Sequence, residues 1–581
     1  MRWSWVLCGC GLWLGVVVGQ ARAQGIEDVP ADHGLPFFVG EPAEAKPLGD
    51  KTVTPHPLLA RQGSIHIDLE NSGVTDLPTP LGRDPVITSR RFGDIGTCLN
   101  LVFADDGELL AFCGLAVDGS ISFAVSWLDP ETLDKKDSYQ LLSLSIAELL
   151  ALPLDLGYMV YGNDGRFWAI GRDNVVRRVG LGDRGDGERG LVVSDERDFS
   201  QYVPVERDKV ASVVPTHDGV LFYMTLGKAG DDGAVQTPAL VGAFDPQTGQ
   251  HHQIELDGEI IENGLAVGPE AVFALTDRAL YRFLWDGGCG TILTQFRHEY
   301  ERATELEPGV ISYGSGATPT LLGDQYVVFT DNADERIHLL VLDRRSDARL
   351  GDDPRVVCQV PLFDAGESAN ENTVAVHGRS MLIQNWYGAP ESILGGSHRN
   401  LVPGLMRVDL REDGSGCDVV WHNRDLATPA TVKLSATTGL IYSTQLDQSV
   451  QDVDAWYAIA IDFETGETKF RVRLGVGPEA NIQLSPTYVG PDGALYQPVR
   501  SGLIKWQDGD TDAGSGSDSG SDAGAGAGSD AGSDSGSDSG SGTGCAVAAG
   551  DGGGLELLAA VLLLTRRRRR RRPRLGAPTA P

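Results

Sequence analysis

The chain has 581 residues, of which 41% are apolar and 22% charged, a globular composition that is long for one domain unless the fold is built from repeats. Ten of the 48 basic residues but only two of the 81 acidic residues lie outside residues 24–544, so this segment has a net charge of −41. Because such a surface repels phosphate groups, the composition argues against partners such as DNA, RNA or anionic lipid.

The first 23 residues have the organisation of a cleaved secretory signal. A basic residue at position 2 precedes an apolar core over residues 3–18, and an Ala-Arg-Ala cleavage site ends at Ala23. A short membrane anchor is the alternative. Residues 24–63 are rich in proline and polar residues, and we expect them to be irregular.

An exported chain enters an oxidising compartment, where cysteines pair. Cys98 and Cys113 flank the turn "ADDG", which places them opposite each other on a hairpin. We therefore predict a disulfide between them, with two buried free thiols as the alternative. The sequence assigns no pairing to Cys289, Cys358 and Cys417, which are odd in number and far apart.

Between about residues 64 and 507, short runs of Val, Ile, Leu, Tyr and Phe alternate with Gly, Asp, Asn and Pro turns. Similar text recurs about every 52–62 residues, in units that begin near residues 94, 156, 210, 262, 317, 371, 430 and 483. Each unit reads as four strands, with an acidic turn between the third and the fourth. This repeat indicates an all-β fold, a β-propeller with eight four-stranded blades; seven blades is the alternative.

The last unit, "SPTYVGPDGALYQPVRSGLIKW", contains only three strands. Either residues 63–73 or residues 85–93 are expected to supply the fourth. Such a closure joins the N-terminal part of the chain to the last blade and removes exposed sheet edges.

Two turns carry a family resemblance. The D-x-x-T-G-x pattern after an aliphatic strand, at Asp245–Gln250 and Asp462–Glu467, resembles the PQQ-like repeat of quinoprotein-like β-propellers, which include outer-membrane assembly propellers. The tryptophan that usually follows such a turn appears once, as Trp421. We therefore assign no quinone ligands.

Residues 508–544 are almost entirely Gly, Ser, Asp and Ala and contain no large apolar residue. A segment of this composition cannot bury a core, so we predict a disordered linker.

Residues 545–581 combine a weak apolar segment with a basic cluster. The run Leu555–Leu564 is short and contains Glu556, whereas counting back to Cys545 gives about 20 residues, the length of a membrane span. The arginine cluster Arg566–Arg572 behind it is expected to stay in the cytoplasm.

The linker, Gly544-Cys545, the weak apolar segment and the arginines together resemble the MYXO-CTERM sorting signal of myxobacterial surface proteins. The resemblance implies that a sortase-like intramembrane protease cleaves near Cys545 and that this cysteine carries the membrane lipid that anchors the protein at the cell surface or outer membrane. Glu556 and the extension "PRLGAPTAP" depart from the pattern. A permanent transmembrane helix is the alternative.

One repeated sequence pattern predicts a binding site. "ENGLAV" and "ENTVAV" open two units, and "EANIQLSP" resembles a third copy. If the first strand of each unit is innermost, these polar residues lie at the mouth of the central channel. Their carboxylate and amide oxygens suit Ca²⁺ or sugar hydroxyls, and the alternative is that they cap turns between blades. The candidate residues are Glu262, Asn263, Glu371, Asn372, Glu479 and Asn481.

Residues 24–544 contain no nucleophile elbow, zincin motif, P-loop or C-x-x-C pair. His251 and His252 follow a turn and are expected to be exposed. The leading hypothesis is therefore a surface binding or scaffold module for an extracellular carbohydrate or protein. The alternative is an enzyme, either a quinoprotein-like dehydrogenase or a polysaccharide lyase or hydrolase. A plugged channel would favour binding, and convergent reactive side chains would favour an enzyme.

Overall fold

The structure is a computed structural model. It describes residues 34–49, 53–93, 95–117, 120–145, 148, 158–185, 187–230, 233–310, 313–345, 356–390, 398–482 and 485–509. The chain divides into two units, Met1–Asp518 and Ser519–Pro581, and the described residues belong to the first. The predicted signal peptide, the linker beyond residue 509 and the sorting signal with Gly544 and Cys545 lie outside the described residues.

Eight blades follow one another along the chain, each with four antiparallel strands; the sheet of the seventh blade has two further strands, one at each edge. Three short N-terminal strands come first: β1 (Phe38–Gly40), β2 (Val74–Thr75) and β3 (Val86–Arg91). Blade one contains β4 (Gly96–Phe103), β5 (Leu109–Val117), β6 (Ser120–Leu128) and β7 (Lys135–Ser145). Blade two contains β8 (Val160–Tyr161), β9 (Arg166–Ile170), β10 (Val175–Asp183) and β11 (Arg189–Asp198). Blade three contains β12 (Val210–Pro215), β13 (Leu221–Thr225), β16 (Leu240–Phe244) and β17 (His251–Glu255), with a small hairpin of β14 (Lys228–Ala229) and β15 (Val235–Thr237) in one loop.

The second half of the chain continues the pattern. Blade four contains β18 (Ala266–Val267), β19 (Val272–Leu275), β20 (Ala279–Asp286) and β21 (Thr291–Glu299). Blade five contains β22 (Thr320–Leu322), β23 (Tyr326–Thr330), β24 (His338–Asp343) and β25 (Val356–Pro361). Blade six contains β26 (Ala375–His377), β27 (Ser380–Gln384), β28 (Leu405–Leu410) and β29 (Cys417–Asn423). Blade seven contains β30 (Lys433–Ser435), β31 (Leu440–Leu446), β32 (Ala455–Asp462) and β33 (Thr468–Val476). Blade eight contains β34 (Tyr488–Val489), β35 (Leu495–Val499), β36 (Gly502–Gln507) and β3.

This topology confirms the predicted eight-bladed β-propeller. Blade eight packs on blade one, because β35 and β36 both contact β4. The short 3₁₀ turns His398–Asn400 and Pro478–Ala480 lie in connections. Each blade has a turn face, where the first strand leads into the second, and a connection face, where one blade leads into the next.

Burial follows the position of a strand within its blade. The inner strand β12, "VASVVP", is buried at every position, whereas the outer strand β7 alternates between exposed and buried residues. This difference is expected, since an inner strand is covered on both faces and an outer strand has one face in water. The core therefore lies between blades; Trp456 and Trp506, for example, pack at the junction of blades seven and eight.

The acidic turns between third and fourth strands form as the sequence suggests. The Asp462 carboxylate accepts the backbone N–H groups of Glu464 and Thr465, both at 3.0 Å. Gly466 has a φ of 72°, which closes the turn.

The ring closes through β3, which pairs antiparallel with β36 from Val86↔Gln507 to Arg91↔Gly502. Of the two segments proposed for the missing strand, residues 85–93 are therefore correct and residues 63–73 are wrong. Asp508 corrects the predicted linker boundary, because its carboxylate accepts three backbone N–H groups just before β3. These belong to Leu81, Gly82 and Arg83, each at 2.8 Å.

The N-terminal segment is more ordered than its composition suggested. Residues 24–63 were expected to be irregular, but β1 pairs antiparallel with β33 and extends blade seven outward. Phe38 stacks on Phe470 of that strand, with ring centroids 5.8 Å apart. The outer edge of blade seven is thereby covered by the chain itself.

Residues 53–76, which we call the channel segment, occupy the central channel. At the turn face the segment meets blade two, where Tyr161 donates its N–H to Gly63 and accepts that of Ala60. It reaches blade eight through the Gln62 amide, which donates to Val489 O at 3.1 Å. Its deepest part approaches the connection face, where Lys433 Nζ donates to Ile65 O at 2.9 Å.

Further along, the channel segment winds past blades four to seven, and its carbonyl groups accept N–H groups from the inner strands or from the residues that directly follow them. The bonds are Val267 N to Leu69 O (2.7 Å), Leu321 N to Glu70 O (2.9 Å), Val376 N to Ser72 O (2.8 Å), Leu434 N to Gly73 O (3.1 Å) and Ala436 N to Thr75 O (2.8 Å). β2 also pairs in parallel with β30. These bonds satisfy edges that otherwise face the channel.

The winding path requires unusual backbone angles. Ile67 has a φ of 81°, a conformation that a β-branched residue adopts only when its surroundings impose it. Asn71 has a φ of 61°, and its amide donates to the carbonyls of Leu265 and Pro319 on blades four and five. Side-chain bonds to two blades therefore hold the segment in its bend.

Gly73 gives a direct test of how tightly the segment fits. Its φ is 67°, and a Cβ there would lie 2.9 Å from the Cβ of Ala375 on blade six. Gly378 has a similar φ of 60°, but nothing lies within 4 Å of its Cβ position. Both Gly→Ala substitutions therefore incur a backbone cost of about 1 kcal/mol, and Gly73→Ala adds about 1–3 kcal/mol of overpacking. We expect a clearly larger drop in thermal midpoint for Gly73→Ala; equal drops would contradict the fit.

Candidate functional site

The mouth of the channel on the connection face is centred on Tyr158. This residue precedes blade two, and its hydroxyl donates to Asn263 Oδ1 at 2.9 Å. Burial, followed by the nearby carboxylates of Glu371 and Glu262, raises the pKa of the Tyr158 hydroxyl. The structure thus brings the glutamates of "ENGLAV" and "ENTVAV" to the same tyrosine, and both are half-buried.

A second tyrosine extends this mouth. Tyr300, which follows β21, donates its hydroxyl to Thr276 O and accepts the N–H of Ser315 at 2.8 Å. Burial raises the pKa of Tyr300, and the carboxylates of Glu262 and two aspartates add to the effect. Both tyrosines are therefore neutral hydrogen-bonding groups in a negatively charged mouth. We call Tyr158, Glu262, Asn263, Tyr300 and Glu371 the acidic mouth.

The predicted asparagines have a different role from the glutamates. Asn372 accepts the hydroxyl of Thr431, at 2.7 Å, and so joins blade six to the connection that enters blade seven. Asn263 Nδ2 donates to Ser315 O at 3.4 Å. These amides cross-link neighbouring blades through a hydroxyl and a carbonyl group, and not through the backbone N–H groups of a capped turn.

Two further asparagines, which the sequence did not nominate, complete this network. Asn370 Nδ2 donates to Thr330 Oγ1 and to Asn372 O, at 2.8 and 2.7 Å. Asn332 Nδ2 donates to Gly314 O at 2.7 Å, and its Oδ1 accepts the N–H of Asn370. Neither residue repeats between units at a fixed position, so the recurrence that identified the other asparagines does not include them.

The third predicted pair lies in blade eight. Glu479 belongs to the 3₁₀ turn Pro478–Ala480, and its carbonyl accepts the N–H of Ser501. The Asn481 carbonyl accepts the N–H of Arg500 at 2.8 Å. Glu479 and Asn481 stabilise a loop of their own blade, whereas the carboxylates of Glu262 and Glu371 add to burial in raising the pKa of Tyr158.

Ca²⁺ was one ligand expected for the predicted ring. Among the residues that the structure describes, no group of three or more His, Cys, Asp or Glu side chains is arranged to hold a metal ion. The oxygen atoms of the acidic mouth come from two glutamates, an asparagine and two tyrosines, a set that also suits hydroxyl or ammonium groups of a ligand.

The channel itself contains buried polar side chains of the channel segment. His66 bonds to Thr373 Oγ1 at 3.1 Å, and burial, followed by the charge of Lys433, lowers the pKa of His66 well below its ordinary value. Glu70 is 4% exposed and accepts the N–H of Thr54 at 3.2 Å. The sequence did not nominate these residues, because the alternation in "SIHIDLE" reads as a strand of the last blade.

Two disulfides join pairs of cysteines within the described ranges. Cys98 and Cys113 are opposite each other on β4 and β5 and form a disulfide. Cys358 and Cys417 form another, which links the outer strands of blades five and six. The sequence assigned the second pair no partners, because only the ring order brings residues 59 positions apart onto adjacent blades.

His251 is not simply exposed, as the sequence suggested. Its ring stacks on Tyr202 with centroids 3.6 Å apart, and its Nε2 lies 2.8 Å from the Tyr223 hydroxyl. Burial, followed by the neighbouring His252, lowers the pKa of His251 to about 4. The residue therefore packs as a neutral aromatic ring on the outside of blade three.

Within the described part of the chain, no helix has the length and apolar character needed to cross a membrane. The apolar stretch of the predicted sorting signal lies outside that part.

Comparison with known proteins gives limited similarity. No family model matches the sequence. An uncharacterized protein of Archaeoglobus fulgidus is 26% identical over 330 residues, which cover 51% of this chain and 61% of that protein. The chain thus spans less than two thirds of the length of this relative.

Several solved β-structures also align. The Dos1 propeller is 9% identical, with 78% of this chain and 98% of that chain covered and a TM-score of 0.34. Saccharomyces cerevisiae Sqt1 is 10% identical, with coverages of 73% and 99% and a TM-score of 0.38. A putative 6-phosphogluconolactonase from Bacteroides uniformis is 15% identical, with coverages of 55% and 84% and a TM-score of 0.34. The blade assignment rests on the sheet topology of the protein itself.

Proposed function

We propose that the protein is an exported, surface-anchored β-propeller that acts as a binding or scaffold module and contacts its ligand at the acidic mouth. The observation that carries this proposal is that the chain's own N-terminal segment fills the central channel. Because backbone of the chain itself occupies the channel, we expect recognition to take place on a face of the propeller. The acidic mouth is the part of the connection face where side chains from separate blades meet.

The composition of the mouth favours an extracellular carbohydrate or a protein segment as the partner. Two carboxylates and two neutral tyrosines offer acceptors to sugar hydroxyls or to the ammonium groups of lysines. The net charge of −41 for residues 24–544 disfavours nucleic acid as a partner, because a negative surface repels phosphate groups.

Charge-removing variants test the site. Glu262→Gln and Glu371→Gln, singly and together, keep the side-chain shape but remove the negative charge. The matched control is Glu479→Gln on blade eight, which changes the net charge equally. Full-length protein is titrated with polysaccharide fragments and with lysine-rich peptides. Loss of charge-assisted hydrogen bonds is expected to weaken binding at least about tenfold in the mouth variants.

The control is expected to bind as the unaltered protein does. Equal weakening in all three single variants would show only a general charge effect and would contradict recognition at the mouth.

Ligand-induced thermal shifts separate the proposal from the enzyme alternative and from the Ca²⁺ hypothesis. The full-length protein is heated with Ca²⁺, with a quinone cofactor and with polysaccharide fragments, since a ligand that binds the native state raises the midpoint. A shift with quinone would support a quinoprotein-like dehydrogenase and contradict the binding-module proposal. Absence of a shift with Ca²⁺ would remove the cation from the list of ligands.

The surface anchor is proposed from the sequence alone, on Gly544-Cys545, the apolar run and the arginine cluster. By resemblance, a sorting protease processes this tail and Cys545 carries the membrane lipid. Cys545→Ser is therefore expected to release the protein into the medium. The measurement is the fraction of protein in the membrane and in the medium, with Ser541→Ala, four residues before the proposed anchor, as the control. Full retention of Cys545→Ser at the surface would contradict the cysteine anchor.

A further inference from the structure

The channel segment contains a carboxyl group, that of Glu70, which is buried away from water. Glu70 is 4% exposed and sits where the segment passes blade five, held through the bond from Leu321 N to its carbonyl. Its carboxylate accepts the N–H of Thr54 at 3.2 Å, at the turn-face end of the same segment, and the Thr54 side chain also stabilises it. Bonds from one threonine compensate only part of the cost of taking a carboxylate out of water, so its ionisation weakens the packing around it.

The charged groups around Glu70 only partly offset that cost. Asp68 lies on the same segment and repels a carboxylate at Glu70, while Arg344 of blade five attracts it. Arg344 is itself 1% exposed and already donates to Tyr326 O, to Gly323 O and to the carboxylate of Glu270 on blade four.

The charged groups that lie further from Glu70 interact mainly with one another. Glu270 lies 3.7 Å from the guanidinium of Arg282 and also acts on His217 of blade three. His56 lies near the start of the channel segment, and its Nε2 bonds to Pro215 O. Burial, and to a smaller extent the charge of His217, lowers the pKa of His56, so its imidazole is neutral. The net surroundings of Glu70 therefore favour its protonated form.

We propose that the channel segment is a proton-controlled plug, in which protonated Glu70 holds residues 53–76 firmly in the channel and ionised Glu70 loosens them. Loosening exposes the N–H groups of Val267, Leu321, Val376 and Leu434, which the segment otherwise occupies. The strained backbone at Ile67, with a φ of 81°, also favours release of the segment from the channel.

The direction of the pH dependence follows from the carboxyl group. Burial, followed by the charge of Asp68, raises the pKa of Glu70 from its ordinary 4.5 to about 7. A carboxyl with a raised pKa in the folded state stabilises that state at low pH. The stabilisation is lost as the pH rises from about 4.5 to about 7 and changes little above that.

Hydrogen–deuterium exchange on the full-length protein tests the plug. Exchange of peptides from residues 53–76 is followed between pH 5 and pH 8, with rates corrected for the intrinsic effect of pH. The opening equilibrium is expected to rise on the order of tenfold to a hundredfold over this range. Glu70→Gln keeps an acceptor for Thr54 N–H and cannot ionise, so its opening is expected to be independent of pH.

Glu44→Gln, at an exposed site outside the channel, is the matched control and is expected to follow the unaltered protein. Asp68→Asn removes the repelling charge and is expected to move the midpoint of the transition to lower pH. An unaltered protein without the pH response, or a Glu70→Gln variant that keeps it, would overturn the proposal. Neither outcome depends on whether the acidic mouth binds a ligand.

Discussion

The inner strand of a propeller blade has one edge without a neighbouring strand, and in blades four to seven of this protein the channel segment bonds to that edge. Between Leu69 and Thr75 the chain turns past blades four to seven and presents a carbonyl group to each in succession. Buried N–H groups require partners, so a single strip of backbone holds half of the ring in a fixed arrangement. The segment also fills the channel and thereby determines where a ligand can meet the protein.

Polar residues at the connection face divide into two groups with separate roles. Asn332, Asn370 and Asn372 bond to one another or to adjacent blades and maintain the ring. Glu262 and Glu371 instead place negative charge beside Tyr158 and add to the effect of burial, which raises the pKa of its hydroxyl. The asparagines thus connect blades within the fold, whereas the two glutamates set the electrostatic character of the acidic mouth, where we propose that a partner binds.

Local rules made much of this fold predictable. Asp462 and Gly466 form their turn as the pattern requires, and counting strands in the last unit predicted a closing strand for which β3 was one of two candidates. The role of residues 65–70 was not predictable, because apolar and polar residues alternate there as in an ordinary strand. Placement in a channel depends on eight blades already forming a ring. The same reason applies to the Cys358–Cys417 disulfide and to the convergence of Glu262 with Glu371, which are long-range consequences of ring order.

Backbone carbonyls of the channel segment occupy the free edges of the inner strands of blades four to seven. Amide exchange at Val267, Leu321, Val376 and Leu434 in the full-length protein, under conditions that keep the segment bound, measures this directly. We expect these four N–H groups to exchange as slowly as those of the middle strands, such as Phe273 and Val328, because each has a carbonyl partner. Exchange at the rate of an open, water-filled channel edge would contradict it.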